Sequence, residues 1–241
     1  MLKQDAITPL YVQLMEELET SIRNGVYKPG DKIMTEAEMA KEYGVSLITV
    51  RKAVGSLMEK GLVVRKQGKG TFVTKPKYSR NMKKLQSFTE MCEKMGVKLG
   101  AQVLENRLIM ADKKVADRLG IEPGSNVVYI SRLRLADGEP VQVEKSYFPL
   151  KYAFLLEEDL NNGSMFECLK EKAGAKVASS EKMIELCRAT AEEAALMDVK
   201  KGDYLLFVKS TAYDENGEPM YAGIQLINGD RFSLYVYESG K

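Results

Sequence analysis

Two arginines, Arg132 and Arg134, are the residues whose type and spacing point most directly to binding chemistry. They fall in an apolar segment that predicts a β-strand, and residues two apart in a strand point to the same face. Their guanidinium groups would lie side by side, and each is a planar fork of N–H donors that fits a phosphate or a carboxylate. This spacing predicts either an anion-binding site or internal salt bridges to Glu144 or Glu181, and both alternatives stay open at this point.

The chain has few residues suited to nucleophilic catalysis or metal binding. It contains no histidine, which excludes Ser–His and Cys–His pairs and histidine-based metal sites. Cys92, Cys168 and Cys187 stand singly without C-x-x-C spacing, so neither a zinc site nor a disulfide framework is indicated. We expect the cysteines to be packing residues. The sequence predicts no metal and no cofactor, and it argues against most enzymes.

The chain has 241 residues, enough for one or two domains with cores of their own. Its longest apolar runs are too short for a membrane span, and the N-terminus lacks the charged-then-apolar layout of a signal peptide. We therefore expect a cytoplasmic protein with no membrane partner.

Basic residues are concentrated in one part of the chain. The formal net charge is only +2, but residues 51–84 contain eleven basic residues and one acidic residue, whereas from residue 85 onward there are twenty basic and twenty-five acidic residues. A local basic block of this kind is typical of a module that binds a polyanion. A solvated basic surface is the alternative.

The elements around that block predict a helical unit with a β-hairpin. Thr35 and Glu38 form a capping-box pattern that begins a helix, Gly44 ends it, and Ser46 caps the next helix. An earlier helix is expected to begin with Thr8 as N-cap. In the helix after Ser46, the 3.6-residue period places these residues on the core face: Val50, Ala53, Val54, Leu57 and Met58. Residues 62–66 and 71–73 then predict two strands around a glycine-rich turn.

Five motifs in this region occur in a recognisable order: PLYVQL, GVYKPGDKI, TEAEMAKEYGVS, TVRKAV and RKQGKGTFV. Together they resemble the winged helix-turn-helix of the GntR family of bacterial transcription regulators. The resemblance implies binding to double-stranded operator DNA through Thr35, Ser46, Leu47, Ile48, Thr49, Arg51, Lys52, Gln67, Gly68, Lys69 and Gly70. Ala37 and Leu47 stand where the family commonly has arginine. Leu47 and Ile48 would instead suit contacts with thymine methyl groups.

Residues 76–84 lack apolar periodicity and predict a linker between residues 1–75 and a second domain, residues 85–241. The second domain alternates apolar strand patterns with helical ones, which predicts an α+β fold around a mainly antiparallel sheet. The strands are expected at residues 103–110, 127–135, 141–148, 204–213, 220–227 and 232–237. The helices are expected at residues 112–119, 165–173 and 191–197, after a short helix that Ser87 opens.

This domain contains an internal repeat, in which residues 111–140 align with residues 189–219. Positions shared by both copies, such as Gly124 and Gly202, are most simply scaffold. Arg132 and Arg134 occur only in the first copy, because the second copy has Ser210 and Ala212 at these positions. The difference favours a functional role for the arginines.

Further motifs along the second domain include SFTEM, VADRLGIEPG, RLRLADGEPV, KSYFP, LLEEDL and NGSMFE. They resemble the UTRA effector domain of the HutC subfamily of GntR regulators. The resemblance implies a chorismate-lyase-like fold, dimerisation through this domain and a cleft for a small effector, often an amino-sugar phosphate. The implied effector residues are Ser87, Phe88, Thr89, Arg132, Arg134, Glu144, Ser164, Phe166 and Tyr221. Phe166 replaces a common tyrosine, and residues 222–224 are less polar than usual, which predicts a less polar end to the cleft.

Three functions follow as hypotheses. The first is a homodimeric repressor that binds a palindromic operator and is released by a small anionic effector such as a sugar phosphate. The second is an enzyme of the chorismate-lyase type, which the fold alone would permit. The third is a constitutive DNA-binding protein, which would leave the second domain without a role.

Overall fold

The computed structural model describes residues 2, 7–66, 68–75, 77–83, 85–161 and 163–239. The chain falls into two compact units, residues 1–76 and residues 77–241. Among the described residues, no helix is both long enough and apolar enough to cross a bilayer.

The first unit consists of three helices and an antiparallel hairpin. Its elements are α1 (Leu10–Arg23), α2 (Glu36–Tyr43), α3 (Leu47–Glu59), β1 (Val63–Lys66) and β2 (Gly70–Val73). Leu14 and Leu18 of α1 pack with Val50 and Leu57 of α3 in one buried cluster. The apolar stripes of these helices therefore meet to form the core, as the periodicity predicts.

Local signals set most of the helix ends in this unit. The capping box is confirmed, since the Thr35 amide donates to Glu38 Oε2 at 2.7 Å and the Glu38 amide donates to Thr35 Oγ1 at 3.3 Å. Two expectations are wrong. Pro9, not Thr8, is the N-cap of α1, and no side chain of the described residues caps it. Met58 is 39% exposed because it lies at the margin of the apolar stripe rather than on its centre.

The second unit is built around a six-stranded sheet. Its elements are β3 (Tyr78–Asn81), α4 (Phe88–Lys94), β4 (Leu99–Met110), α5 (Lys113–Leu119), β5 (Asn126–Ala136), β6 (Glu139–Pro149), a 3₁₀ segment (Leu150–Glu157), α6 (Met165–Ala173), β7 (Ser179–Arg188), α7 (Ala191–Met197), β8 (Tyr204–Tyr213), β9 (Pro219–Asn228) and β10 (Phe232–Tyr235). The strand order is β4-β5-β6-β9-β8-β7, and every neighbouring pair is antiparallel. The predicted α+β class with an antiparallel sheet is confirmed.

The internal repeat corresponds to two halves of this sheet, with β6 and β9 side by side at the centre. The first copy forms α5, β5 and β6, and the second forms α7, β8 and β9. In the first half Arg132 faces Glu144 across the strands, and at the equivalent place in the second half Ser210 faces Gly223. The same scaffold therefore carries a charged pair in one half and two small residues in the other.

Part of the predicted linker is a strand. Tyr78–Asn81 forms β3, which pairs in parallel with β10, and the Tyr78 ring lies 5.2 Å from that of Phe232. The linker prediction for residues 76–84 is wrong over this stretch, because a short strand whose partner lies about 150 residues later leaves no local pattern. Strand β7 was also missed, since it lies at the sheet edge and most of its residues are exposed.

The two faces of the large sheet are covered by different elements. On one face α5 and α7 pack over apolar residues that include Leu133 and Val143. On the other face the 3₁₀ segment and α6 pack over Val128, Ile130 and Phe148. Arg132 and Arg134 share this second face, so their side chains point under the covering helices rather than to solvent.

Candidate functional site

A cavity of about 480 Å³ opens on the second face of the sheet, beside the beginnings of α4 and α6. Five of the predicted effector residues line it, namely Ser87, Thr89, Ser164, Phe166 and Tyr221. The other four, Phe88, Arg132, Arg134 and Glu144, border a small recess that shares Ser87, Thr89, Ser164 and Phe166 with the cavity. The structure thus brings all nine residues into one region.

Arg132 is held by groups of the protein itself. Its Nη2 lies 2.9 Å from Glu144 Oε2, and its Nη1 donates to the carbonyl oxygens of Leu160 and Gly163, both at 3.1 Å. Burial raises the pKa of Glu144, but the charges of Arg132 and Arg134 outweigh that effect and leave the pKa below its ordinary value. Arg132 and Glu144 therefore form a buried ion pair, one of the internal partnerships that the sequence left open.

Arg134 has far fewer partners, although it is only 1% exposed. Its Nη2 donates to Thr89 Oγ1 at 3.1 Å and its Cζ lies 4.7 Å above the Phe88 ring. Its Nε and Nη1 have no hydrogen-bond partner among the residues that the structure describes. Burial lowers the pKa of this guanidinium to about 10. A buried charge with unmet donors is costly, so this is the group in the recess best placed to receive an anion.

Two helix caps border the same place. Ser87 Oγ accepts from the Glu90 amide at the start of α4, and Ser164 Oγ accepts from the Glu167 amide at the start of α6. The first amides of a helix have no partner within the helix, and its N-terminal end carries a partial positive charge. The nine-residue helix α6 therefore adds to the positive potential at the recess.

Tyr221 forms part of the cavity floor. Its hydroxyl lies 3.3 Å from Ser210 Oγ, and its ring centre lies 5.3 Å from that of Phe148 and 5.4 Å from that of Phe166. Burial, followed by the charge of Glu144, raises the pKa of Tyr221. The phenol stays protonated near neutral pH and can donate a hydrogen bond into the cavity.

The sequence did not predict two basic residues that line the cavity, Arg80 and Lys182. Arg80 of β3 donates to Gln225 Oε1 and to the Gln86 carbonyl oxygen, both at 3.2 Å, and Lys182 of β7 enters from the sheet edge. Arg80 belongs to the basic block of residues 51–84, but its neighbours along the chain gave no sign that it turns inward. Lys182 lies on a strand that the sequence did not reveal.

In the first unit, the beginning of α3 presents the predicted reading surface. Ser46 Oγ accepts from the Thr49 amide at 3.2 Å and lies 2.9 Å from Thr49 Oγ1. Leu47 and Ile48 follow and are 45% and 77% exposed. Apolar side chains are thus displayed where a recognition helix would meet bases.

Several predicted DNA contacts have partners inside the unit. Arg51 Nε lies 2.8 Å from Glu36 Oε2, and the other oxygen of that carboxylate lies 2.5 Å from Arg65 Nη2. Lys52 Nζ lies 3.8 Å above the ring of Tyr11. A contact between Arg51 and a phosphate would therefore compete with Glu36, whereas Lys52 is already positioned by an aromatic ring.

The remaining predicted DNA residues lie at the cap of α2 and in the hairpin turn. Thr35 is engaged in the capping box. Gly68 and Gly70 have φ of 74° and 123°, which a residue with a side chain rarely adopts. Lys69 lies between them, and its amide donates to the Lys66 carbonyl oxygen at 3.0 Å. Gln67 falls outside the described residues.

Comparison with known proteins agrees with this arrangement. Residues 94–233 match the UTRA domain, and residues 10–73 match the bacterial regulatory proteins of the gntR family. The chain is 35% identical to the uncharacterized HTH-type transcriptional regulator YurK of Bacillus subtilis (strain 168), with 98% of each chain covered. The chain belongs to the GntR family. The predicted family, with a UTRA domain of the HutC type, is confirmed.

Two further relatives of this GntR regulator extend the comparison. It is 34% identical to the HTH-type transcriptional repressor NagR of Bacillus subtilis (strain 168), over 98% of this chain and 96% of that one. Its fold is similar to the crystal structure of PhnF from Mycobacterium smegmatis, with a TM-score of 0.68 and 25% identity over 97% of this chain and 100% of the other. Transcription regulation through DNA binding is the shared activity of the family.

Proposed function

We propose that this GntR regulator is a repressor that binds an operator as a homodimer and leaves it when a small anionic effector, such as a sugar phosphate, enters the second unit. The observation that carries the proposal is the buried Arg134 guanidinium beside a cavity of about 480 Å³. Within the described part of the chain, its Nε and Nη1 have no hydrogen-bond partner. A phosphate has the oxygen acceptors that such a group needs.

The charges around the recess support an anionic ligand. The carboxylate of Glu144 interacts electrostatically with three guanidinium groups, those of Arg132, Arg134 and Arg80. One carboxylate cannot neutralise three buried or half-buried cations, so the region keeps an excess of positive charge. An incoming anion would offset that excess.

The names of relatives support a carbohydrate-derived effector. Besides NagR, the chain is 29% identical to a probable fructoselysine utilization operon transcriptional repressor of Escherichia coli (strain K12) and 28% identical to the mannosyl-D-glycerate transport/metabolism system repressor MngR of the same strain. We take the sugar-derived compounds in these names as the class of effector to test first. We infer that this protein is a repressor because these relatives are named as repressors.

Calorimetry with glucosamine 6-phosphate and with inorganic phosphate tests the anion site. Arg134→Ala should lose most of the affinity for both, because a charge-assisted contact inside a cleft contributes about 1.5–3 kcal/mol. Arg107→Ala is the matched control, since Arg107 is exposed and pairs with Glu105 at 2.7 Å. If wild type and Arg134→Ala, both folded, bound these anions with equal affinity, Arg134 would have only a structural role.

Release from DNA is tested by gel shifts on an operator selected in vitro. By linkage, a compound that lowers affinity for the operator must bind the DNA-bound protein more weakly than the free protein. Arg134→Ala should keep its operator affinity and lose the response to glucosamine 6-phosphate. If glucosamine 6-phosphate still released this variant from the operator, Arg134 would have no role in regulation.

We propose that the dimer forms through the exposed edge strand β7. Met183, Ile184 and Leu186 on this strand are 56%, 45% and 66% exposed, and an unpaired strand edge favours pairing with another strand. Leu186→Arg should therefore shift the protein to monomers in sedimentation velocity and weaken binding to an inverted repeat. Leu108→Arg, on the opposite edge strand β4, is the control, and monomers in that variant alone would place the dimer contact elsewhere.

A further inference from the structure

One carboxylate of the first unit pairs with two arginines that lie on different elements. Glu36 Oε2 lies 2.8 Å from Arg51 Nε on α3, and Glu36 Oε1 lies 2.5 Å from Arg65 Nη2 on β1. Among the described residues, neither arginine pairs with another carboxylate. Glu36 is the first residue of α2, so this one side chain connects α2 both with α3 and with the hairpin.

The pairs with Glu36 leave part of each guanidinium group available. Arg51 donates to Glu36 through Nε, and its two Nη groups have no hydrogen-bond partner in the part of the chain that the structure describes. The side chains of Arg51 and Arg65 are 64% and 51% exposed, whereas that of Glu36 is only 26% exposed. Two Nη groups can donate together to a guanine edge or to a phosphate. Arg51 can therefore contact DNA without leaving Glu36.

These two ion pairs lie beside the predicted reading surface. Arg51 follows Leu47 by about one turn at the beginning of α3, and Arg65 faces Thr71 across the hairpin, close to its glycine-rich turn. A carboxylate at a surface that meets DNA repels the phosphates and lowers the affinity for every sequence. Glu36 therefore needs a role other than attraction to DNA.

We propose that Glu36 is a positioning residue for DNA specificity, which orients Arg51 and Arg65 for the operator and weakens their attraction to the phosphates of other DNA. This inference rests on the proposed operator binding by the first unit. Nonspecific binding depends almost entirely on phosphate contacts, and an arginine paired with Glu36 gains less from a phosphate because the carboxylate offsets its charge. Operator binding also uses base contacts, which require side chains held in a fixed orientation. Glu36 thus raises the preference for the operator.

Glu36→Gln tests the inference through two affinities, one for an operator selected in vitro and one for a nonspecific duplex of the same length. Glutamine keeps the size of the side chain and removes its charge, and the capping box of Thr35 and Glu38 stays intact. By fluorescence anisotropy, we expect the nonspecific affinity to rise and its slope of log K against log salt to steepen by about one unit. The preference for the operator should fall about tenfold. A variant that had lost its fold would instead bind both duplexes more weakly.

Glu19→Gln is the matched control. Glu19 also pairs with two cations, Arg23 at 2.5 Å and Lys60 at 2.7 Å, and the substitution removes the same charge. Lys60 follows the last residue of α3 and lies about 20 Å along the helix from Leu47. This variant should therefore keep both the salt slope and the preference of the wild type.

Glu36→Asp separates position from charge, because aspartate keeps the charge on a side chain that is too short to hold both arginines. Its preference for the operator should stay below that of the wild type, and a full wild-type preference would overturn the positioning role. If Glu36→Gln weakens operator binding and leaves nonspecific binding unchanged, Glu36 contacts a base itself and the inference is overturned. If Glu36→Gln behaves like Glu19→Gln while the wild type prefers the operator, the inference alone fails. If the wild type prefers no duplex, the proposed operator binding fails as well.

Discussion

Gly223 leaves the space that the ring of Tyr221 occupies. A Cβ atom added at Gly223 would lie 1.8 Å from the Tyr221 hydroxyl oxygen and 2.3 Å from its Cζ, far closer than atoms can approach. The two residues are separated by one position on β9, so their side chains share a face. The glycine allows the tyrosine ring to lie along the strand, where it reaches Ser210 and forms part of the cavity floor.

Gly223→Ala should therefore displace Tyr221 from Phe148 and Phe166. Overpacking of a well-filled core costs about 1–3 kcal/mol, so we expect a loss of this size in the free energy of unfolding measured with urea, together with weaker effector binding. Gly229→Ala is the control, because its Cβ would meet only Leu206 Cγ at 4.0 Å. In a Tyr221→Ala background the added methyl group should cost little, and an undiminished cost there would contradict the clash.

Loss of charge at Glu144 should destabilise the second unit. Glu144→Gln leaves Arg132 buried without its ion-pair partner, and breaking such a pair costs about 3–5 kcal/mol. Glu185→Gln is the control, since the ion pair of Glu185 with Lys209 is largely open to solvent, with the two side chains 48% and 40% exposed. If both substitutions lowered the free energy of unfolding by the same small amount, the buried pair would stabilise the fold no more than the exposed one.

The same ion pair predicts a pH dependence. The folded-state pKa of Glu144 lies below its ordinary value of 4.5, so its stabilising contribution is complete above pH 4.5 and is lost as pH falls through the folded-state pKa. The difference in unfolding free energy between wild type and Glu144→Gln should therefore narrow below pH 4.5. A difference that stays constant down to the acid transition would exclude this linkage.

Lys69 in the hairpin turn is expected to bind DNA through charge. Lys69→Ala should weaken binding to specific and nonspecific duplexes alike and should flatten the slope of log K against log salt by about one unit. Lys145→Ala, which changes a lysine of the second unit on β6, should leave the slope unchanged. If the slope were unaltered in Lys69→Ala, Lys69 would not contact a DNA phosphate.

Ile48 should contribute to sequence preference rather than to stability. The side chain is 77% exposed at the beginning of α3, so Ile48→Ala should leave the melting temperature unchanged. Loss of contact with a thymine methyl group should reduce operator affinity by about 1 kcal/mol and leave nonspecific affinity intact. Met58→Ala, near the other end of the same helix, is the control, and an equal drop in both variants would argue against base contact.

Local patterns in the sequence predict many of the helices and strands correctly. Strand β8 and helices α6 and α7 have the predicted bounds, because strong apolar periodicity and adjacent caps define them. Strand β3 and the inward position of Arg80 depend on partners far along the chain, β10 and Gln225. Such contacts leave no periodic trace, and an exposed edge strand such as β7 lacks the alternation that burial imposes.

The candidate site shows the same division. The same-face spacing of Arg132 and Arg134 was readable from the sequence, and the structure places both on the cavity face. The sequence did not show which of the two arginines would pair with Glu144, because the position of Glu144 opposite Arg132 depends on the register of β5 and β6. A shift of that register by one residue would turn Glu144 to the other face. Only the three-dimensional pairing therefore distinguishes the arginine that forms an ion pair with Glu144 from the one that does not.

Strand β3 also sets the length of the tether between the two units. Only residues 74–77 separate the end of β2 from the start of β3, so the Cα atoms of Val73 and Tyr78 can be at most about 17 Å apart. If β3 left β10, the free segment would run to Ser87 and its reach would rise to about 50 Å. In a dimer already held by one half-site, the effective concentration of the second DNA-binding unit depends on this reach. If the protein acts as the proposed dimer, the pairing of β3 with β10 would therefore limit the spacing of half-sites that it can span.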